Sequence, residues 1–257
     1  MKIASWNVNS LKVRLPQVLA WLETAAPDAL ALQETKLADD AFPADAFAQA
    51  GWHVTYSGQK TYNGVALVTR IPARDVITDL PGADDPQRRV LGATVDGVRV
   101  LNLYVPNGQE VDSDKYAYKL EWLESLAAHL RAALHQHHDL VVLGDFNIAP
   151  ADADVYDPEA LAGQIHCSER ERAALQRLLD LGLEDTFRRF DQPPGSFSWW
   201  DYRANAFRRG LGLRIDLILA SRALAARCTA STIDPAPRRN ERPSDHAPVV
   251  AEFAAGR

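Results

Sequence analysis

The sequence predicts a single α/β domain in which short buried strands are interleaved with a few helices. Apolar runs bounded by turn-forming residues recur along the whole chain, whereas only a few stretches have helical spacing. At 257 residues, with 47% hydrophobic and 24% charged residues, the chain can bury a substantial core and has the composition of a globular protein. It has no repeat of fixed period, no low-complexity tract and no linker, so residues 1–257 are expected to form one domain.

Several apolar runs have the length and composition of β-strands, and the run at residues 140–143 is the clearest of them. Four successive apolar residues are typical of a strand that is buried on both faces. This run passes into Gly144 and Asp145, which predicts that the strand ends there. The predicted strands cover residues 1–6, 29–32, 64–69, 98–105, 140–143, 215–220 and 247–253.

Three segments carry both helical spacing and end signals. The boundaries are Pro16 and Pro27 for the first helix, Ser113 or Asp114 and about residue 135 for the second, and the Ser168–Glu171 capping box and Gly182 for the third. A proline costs nothing at the first helical position, because the N–H it lacks would be unpaired there. We therefore predict that the first helix opens at Pro16.

Composition and charge exclude several classes of protein. No run approaches the ~20 apolar residues of a membrane span, and the N-terminus lacks the basic-then-apolar pattern of a signal peptide. Cys167 and Cys228 are the only cysteines, which argues against a disulfide framework and against a cysteine zinc site. A cytoplasmic protein with no membrane partner is expected. The net charge of −6 argues mildly against nucleic-acid binding, but arginines concentrate late, as in the stretch from Arg203 to Arg214.

Polar residues at the ends of the predicted strands are the candidate functional residues. They are Asn7, Glu34, Asn107, Asp145 and Asn147 after apolar runs, Asp216 within one, and Asp245 and His246 before another. Asp145 and Asn147 lie two apart on an extended segment, so their side chains would face one cavity. Each of these residues alone is more commonly a turn former. Their number favours a shared site.

The residue types in this set point to a divalent metal and to phosphoester chemistry. Carboxylate and amide oxygens without cysteine favour Mg²⁺ or Mn²⁺ over zinc. A histidine beside carboxylates adds a general acid or a positive charge. An oxygen-ligated metal together with a positioned water is the equipment of phosphoester hydrolysis.

Six short motifs in order closely resemble the exonuclease III family of DNA-repair nucleases, within the endonuclease/exonuclease/phosphatase superfamily. They are Trp6-Asn7-Val8-Asn9, Leu32-Gln33-Glu34-Thr35-Lys36, Tyr104-Val105-Pro106-Asn107-Gly108, Gly144-Asp145-Phe146-Asn147, Gly212-Leu213-Arg214-Ile215-Asp216 and Ser244-Asp245-His246-Ala247-Pro248. The resemblance covers essentially the whole chain. Residues 59–60, 87–89 and 197–203 favour its DNA-repair branch over the lipid and inositol phosphatases. The aromatic residues of 197–203 suit a DNA-facing loop, and a buried aromatic cluster is the alternative.

The resemblance implies a fold, a cofactor and roles for individual residues. The fold is a four-layer α/β sandwich of two packed mixed β-sheets flanked by helices, and the cofactor is Mg²⁺, with Mn²⁺ as an alternative. Glu34 and Asn7 would be metal ligands, with Asp145, Asn147 and Asp245 near enough to help. Asp145 would take a proton from the attacking water and Asn147 would orient that water, while His246, held by Asp216, and Tyr104 would contact the phosphate. DNA contacts would come from Asn107, Trp199, Leu213, Arg88, Arg89, Arg203 and His166.

The implied activity is Mg²⁺-dependent hydrolysis of duplex DNA at 3′ ends, at abasic sites, or at both, by a monomer whose partner is double-stranded DNA with 3′ ends, nicks or abasic sites. Two alternatives remain: a phosphatase of the same superfamily acting on a small or lipid phosphoester, and an inactive module that binds DNA ends. His166 is either a surface-loop histidine or a ring in the space that a flipped-out baseless sugar needs. The second interpretation tilts the balance toward exonuclease activity. Asn9, where animal family members carry an acid, leaves a second metal in doubt.

Overall fold

The structure is a computed structural model that describes residues 1–82 and 85–256. Its strands are β1 (Lys2–Asn7), β2 (Ala29–Gln33), β3 (His53–Ser57), β4 (Val65–Thr69), β5 (Arg74–Ile77), β6 (Val90–Val95), β7 (Val98–Tyr104), β8 (Leu140–Asp145), β9 (Leu183–Asp185), β10 (Trp199–Trp200), β11 (Gly212–Leu213), β12 (Asp216–Ser221), β13 (Cys228–Ile233) and β14 (Val249–Phe253). Its helices are α1 (Leu11–Ala25), α2 (Ala44–Gln49), α3 (Asp114–Gln136), α4 (Pro158–Leu161), α5 (Glu169–Asp180), α6 (Ala206–Arg209) and α7 (Arg222–Ala225).

Two six-stranded mixed sheets carry the fold. The first has the order β13-β14-β1-β2-β4-β3 and the second the order β5-β6-β7-β8-β12-β9. β1 and β2 are parallel, as are β7 and β8, while the other neighbours are antiparallel. β10 and β11 form a separate two-stranded ribbon. Within each sheet, the parallel pair ends at one edge, which places the polar residues after β1, β2, β7 and β8 close together.

Successive side chains of a strand point to opposite faces of its sheet, and this alternation divides the core into layers. In β8, Val141 and Leu143 pack into the space between the two sheets, whereas Leu140 and Val142 pack against the helices α3 and α5. This two-sided burial explains why the strand is apolar at every position. The helices α1 and α2 cover the outer face of the other sheet. The predicted four-layer α/β sandwich is therefore confirmed.

The ends of α3 and α5 follow the predicted signals. Ser113 caps α3, since its Oγ accepts a hydrogen bond from the Tyr116 N–H at 3.2 Å. Ser168 and Glu171 form both halves of a capping box at the start of α5, which ends at Asp180 just before Gly182. Both interactions satisfy backbone groups that a helix end leaves unpaired.

The prediction that Pro16 opens the first helix is wrong. α1 begins at Leu11, and Pro16 lies inside it. The start is fixed by tertiary contacts, because the backbone N–H groups of Ser10 and Leu11 donate to the carbonyl oxygens of Glu34 and Thr35. These hydrogen bonds to the loop after β2 outweigh the local preference of proline for the first position of a helix.

Strands near the sheet edges were missed because their composition is weak. The strands β3, β5 and β13 are largely half-buried or exposed, so they lack an apolar signature. In β6 the apolar run is broken by Gly92, where a Cβ would lie 2.8 Å from Ile77 Cγ1 of the neighbouring strand. Within residues 1–82 and 85–256, no helix is both long and apolar enough to cross a membrane.

Candidate active site

The predicted site residues converge where the carboxyl ends of β1, β2, β7 and β8 meet. Asn7 is the last residue of β1 and Asp145 the last of β8, while Asp216 is the first residue of β12. Asp145 is in register with Asp216 on one side and with Tyr104 on the other. Residues in register carry their side chains on the same face of a sheet. Strand pairing therefore brings these three side chains to one place.

Asn7 connects the two carboxylates at the centre of the site. Its Nδ2 lies 2.9 Å from Glu34 Oε1 and 2.9 Å from Asp145 Oδ2. Glu34 adopts a left-handed backbone with φ of 51° immediately after β2, which turns its side chain toward Asn7. Lys36 lies 3.0 Å from the other Glu34 oxygen. The sheets thus meet through a short chain of charge-assisted hydrogen bonds.

His246 lies between two buried carboxyl groups. Its Nδ1 is 2.8 Å from Asp216 Oδ2, and its Nε2 is 3.7 Å from Asp145 Oδ2. Burial alone would lower the pKa of His246, but the negative charges of Asp216 and Asp145 outweigh burial and raise it to about 10. The imidazole is therefore a cation at neutral pH.

The pKa of Asp145 is raised to about 7, mainly by burial and partly by the charge of Asp216, while His246 opposes the rise. A carboxyl group with this pKa can hold and release a proton near neutral pH, as a general base requires. Burial and the charges of Glu34 and Asp145 also raise the pKa of Tyr104, so its hydroxyl stays protonated and can donate a hydrogen bond.

Asn147 has an amide group that is fixed at both ends. Its Nδ2 donates to the Val105 carbonyl at 3.0 Å, and its Oδ1 accepts from Asn107 Nδ2 at 3.2 Å. Its backbone N–H donates to Asp145 Oδ1 at 2.9 Å. The left-handed backbone of Asn147, with φ of 51°, suits an asparagine. Asp145 and Asn147 are therefore in direct contact at the end of β8.

The oxygen donors of the site fit a hard divalent cation. Single donor atoms of Glu34, Asp145 and His246 lie within 4.8 Å of one another. Since His246 is a cation that contacts Asp216, the groups here that could bind a metal are the two carboxylates, which are the donors that Mg²⁺ and Mn²⁺ prefer. The Asn7 oxygen accepts from the Asn9 N–H at 3.0 Å. An amide flip would be needed for that oxygen to ligate.

Asp245 lies beside this group. Its Oδ1 accepts from Asn9 Nδ2 at 3.0 Å, and its Oδ2 accepts from Trp199 Nε1 at 3.0 Å. Both carboxylate oxygens therefore already have donors. Asp245 connects the predicted metal site to the ribbon of β10 and β11.

Trp199, Leu213 and His166 lie together at one side of the site. Trp199 pairs with Leu213 in the ribbon and forms a bridge with His246. The His166 ring centroid is 6.3 Å from that of Trp199, and its Nδ1 lies 2.6 Å from the Asn147 carbonyl oxygen. At 8% exposure His166 is buried, so the interpretation of a surface-loop histidine is wrong. Leu213 is 4% exposed and packs under Trp199.

Some aromatic residues of the loop 197–203 are buried in a cluster, and others are exposed and could face DNA. Phe197 and Trp200 are buried with Phe207, as the alternative of an aromatic cluster predicted. Tyr202 is half exposed, and Trp199 is partly exposed. Only the latter two can face DNA.

The arginines predicted to contact DNA differ in exposure. Arg203 is exposed and pairs with Asp201, and Arg88 is partly exposed beside Asp79. Arg89 is largely buried, with its guanidinium 4.7 Å from the Tyr104 ring centroid. Arg89 and Asn107 both line a cavity of about 510 Å³. This cavity extends from the site to the surface of the protein.

Arg214, the last arginine of the arginine-rich stretch from Arg203 to Arg214, is not available for contact with DNA. This side chain is 1% exposed and forms ion pairs with Asp154 and Asp185 at 2.6 and 2.7 Å. Burial would lower its pKa, but these carboxylates raise it. Arg214 anchors the segment that carries Leu213 and Asp216.

Lys119 was not identified from the sequence. It is fully buried, and its Nζ donates to the backbone carbonyls of Asn147 and Asn107. Its only signal in the sequence is a lysine on the apolar face of the predicted second helix.

Comparison with known proteins gives matches over nearly the whole chain. The sequence pattern of the Endonuclease/Exonuclease/phosphatase family matches residues 4–246. Exodeoxyribonuclease III of Haemophilus influenzae is 38% identical, over 98% of this chain and 100% of that protein. A 3′ phosphatase named NExo from Neisseria, solved with a product DNA hairpin, is 54% identical with a TM-score of 0.98, over 99% and 100% of the chains. An AP endonuclease from Archaeoglobus fulgidus is 39% identical with a TM-score of 0.93, over 99% and 100%. The chain therefore belongs to the Endonuclease/Exonuclease/phosphatase family, and within it to the exonuclease III family of DNA-repair nucleases.

Proposed function

We propose that the protein is a DNA-repair phosphodiesterase that uses Mg²⁺ to hydrolyse duplex DNA at 3′ ends, at abasic sites, or at both. The observation that carries the proposal is the buried Asp145 carboxyl beside His246, which Asp216 holds from its other side. A proton acceptor and a fixed positive charge within 3.7 Å are what in-line attack of water on a phosphodiester requires.

Each side chain has a defined task in this reaction. Asp145 takes the proton of the attacking water, and the fixed amide of Asn147 orients that water. His246, held by Asp216, stabilises the negative charge that gathers on the phosphoryl oxygens. The Tyr104 hydroxyl donates to the same phosphate. A divalent cation held by Glu34 and Asp145, and by Asn7 after a flip of its amide, would supply Lewis-acid stabilisation of the phosphate. The same oxygen donors would also suit Mn²⁺.

DNA as the substrate is supported by the names of three relatives that span the whole chain. They are an exodeoxyribonuclease III, a 3′ phosphatase bound to product DNA, and an AP endonuclease. We propose Trp199, Leu213 and Asn107 as contacts near the target nucleotide, with Arg88, Arg89 and Arg203 as phosphate contacts. Because all these groups come from one chain, we propose that a monomer of one nuclease domain is active.

The balance between the activities is proposed to favour 3′ ends. The His166 ring is buried beside Trp199 and is fixed by the Asn147 carbonyl, so it is a rigid part of the wall. A ring at this position would narrow the space for a flipped-out baseless sugar, whereas a terminal nucleotide or phosphate needs no flipping. Removal of a 3′ phosphate is a second candidate activity, favoured by the 54% identical 3′ phosphatase.

The other two interpretations are disfavoured by particular observations. An inactive DNA-end-binding module would not need Asp145, Asn147, Asp216 and His246 to be held together at one place. A phosphatase for a small or lipid phosphoester would not need the exposed Tyr202 and Arg203 beside the site.

A single substrate set tests the proposal. A labelled duplex carries an abasic-site analogue on one arm and a recessed 3′ end on the other, and a second duplex ends in a 3′ phosphate. Both are incubated with Mg²⁺, with Mn²⁺ and with EDTA, beside an inositol phosphate. We expect metal-dependent loss of 3′ nucleotides and little internal cleavage. Turnover of the inositol phosphate without cleavage of either duplex would reject the proposal.

A further inference from the structure

Lys119 ties together three segments around the site. It lies on α3 with 0% exposure, and its Nζ donates to Asn147 O at 2.6 Å, to Asn107 O at 3.1 Å and to Glu171 Oε1 at 2.5 Å. An ammonium group has three protons, so every donor is used. The acceptors lie in the loop after β7, in the loop after β8 and at the start of α5.

Packing alone does not explain a lysine at this position. A buried ammonium is expensive, and an apolar side chain could fill the same space at lower cost. Glu171 compensates the charge, since it is also fully buried. Its Oε1 accepts from the His166 N–H at 3.1 Å, and its Oε2 accepts from the Ser168 hydroxyl at 2.6 Å. The polar network is therefore complete.

The contacts of Lys119 fix backbone atoms whose own side chains enter the site. Asn107 and Asn147 have their carbonyl oxygens on the same ammonium, and their side-chain amides meet at 3.2 Å. The two loops are thus joined once through the backbone, beneath the site, and once through the amides, within it. Moving the ammonium would change the angle of the Asn147 amide relative to Asp145.

We propose that Lys119, neutralised by Glu171, is a positioning residue for phosphodiester hydrolysis. It touches no substrate. It holds the loops after β7 and β8 so that the Asn147 amide faces the water beside Asp145. A displacement of about 1 Å at such a group can cost on the order of 10²-fold in rate. This inference rests on the proposed nuclease function.

The test is a double-mutant cycle with Asn147. Lys119→Met removes the ammonium and keeps an unbranched side chain that is one atom shorter. Lys119→Met/Glu171→Gln also removes the unpaired carboxylate and keeps a capping-box residue. Both sets of substitutions are introduced into the native protein and into the Asn147→Ala variant. For each protein we would measure Tm, together with kcat and KM on a duplex with a recessed 3′ end in the presence of Mg²⁺. Leu130→Ala is the control, because this buried leucine of α3 packs in the outer core and not at the site.

We expect the double variant to lower kcat at least about tenfold in the native background and less than about twofold in Asn147→Ala, with KM changed less than kcat. Leu130→Ala should lower Tm and leave kcat unchanged at a temperature where it is folded. Equal losses in both backgrounds, or failure of both lysine variants to fold, would make Lys119 a structural residue and overturn the inference. If the unmodified protein cleaves neither a recessed 3′ end nor an abasic site, the proposed function is wrong, and the inference with it.

Discussion

Asp145 and Asp216 occupy directly paired positions on the antiparallel strands β8 and β12, and both carboxyl groups are buried. Two buried carboxylates in register repel each other unless a cation lies between them. His246 is that cation, 2.8 Å from one carboxylate and 3.7 Å from the other. The strand register therefore explains both the raised pKa of the Asp145 carboxyl group and the charge of the His246 imidazole at neutral pH.

Replacing Asp145 by Asn should abolish turnover without loss of DNA binding. The loss in kcat should reach at least the ~10²–10⁴-fold that a general base contributes. Tm should not fall, because the change removes a buried negative charge beside Asp216. Asp152→Asn is the control, since that carboxylate is exposed on a loop. Near-normal turnover on a recessed 3′ end would show that Asp145 is not the base.

Replacing Glu34 by Ala should weaken the use of the metal and not the chemistry itself. Activity should rise again as Mg²⁺ is increased, because the Asp145 carboxylate remains as a ligand. His246→Asn is the matched comparison. It should lower kcat while the Mg²⁺ optimum stays where it is. If no concentration of Mg²⁺ restores activity to Glu34→Ala, Glu34 has another role.

The pH dependence of kcat/KM should respond to Mg²⁺ on its acid side. Asp145 must be ionised to act as a base, so activity should fall as the pH drops below its pKa of about 7. A bound cation favours the ionised carboxylate, so more Mg²⁺ should move this limb to lower pH. His246 must be protonated, so a second loss should begin as the pH approaches about 10, and His246→Asn should lack it. The pH profiles of kcat/KM at two Mg²⁺ concentrations test both limbs. An acid limb that does not shift with the Mg²⁺ concentration would contradict the assignment of this limb to Asp145.

Much of the site was predictable because strand ends and motif order are local properties of the sequence. Asp145 and Asn147 follow a run whose apolar character arises from two-sided burial, which is visible in the sequence. The partner of His246 was implied by the family resemblance, and the register of β8 and β12 explains it physically.

The remaining features depend on tertiary contacts that leave little trace in the sequence. α1 starts at Leu11 because the residues after β2 accept its first N–H groups. Arg214 turns inward because Asp154 and Asp185 come from distant segments. Lys119 is buried for a similar reason, since its acceptors lie on separate loops.

If DNA is bound through phosphates, affinity should fall linearly with salt on a logarithmic plot, despite the net charge of −6. Arg203→Ala should lower the slope of this salt plot by roughly one unit. The reason is that the exposed guanidinium, on contacting a phosphate, would release one of the counterions bound to the DNA. Arg88→Ala should do the same. Arg131→Ala, exposed on α3 about 18 Å along the helix from Lys119, should leave the slope unchanged. An affinity that does not depend on salt would indicate a small-molecule substrate.

His166→Gly should add cleavage at abasic sites while exonuclease activity is kept. His166 has a left-handed backbone with φ of 70°, which glycine adopts without strain. Burial lowers the pKa of His166 to about 4, so the ring is neutral and its removal changes volume and not charge. Asn147 keeps its contact with Lys119, so the water-orienting amide stays in place. His166→Asn, which tolerates the same backbone, is the control and should gain less. The ratio of internal to terminal cleavage on one duplex measures the effect. An unchanged ratio, or strong abasic-site cleavage by the unmodified protein, would show that the ring does not limit the pocket.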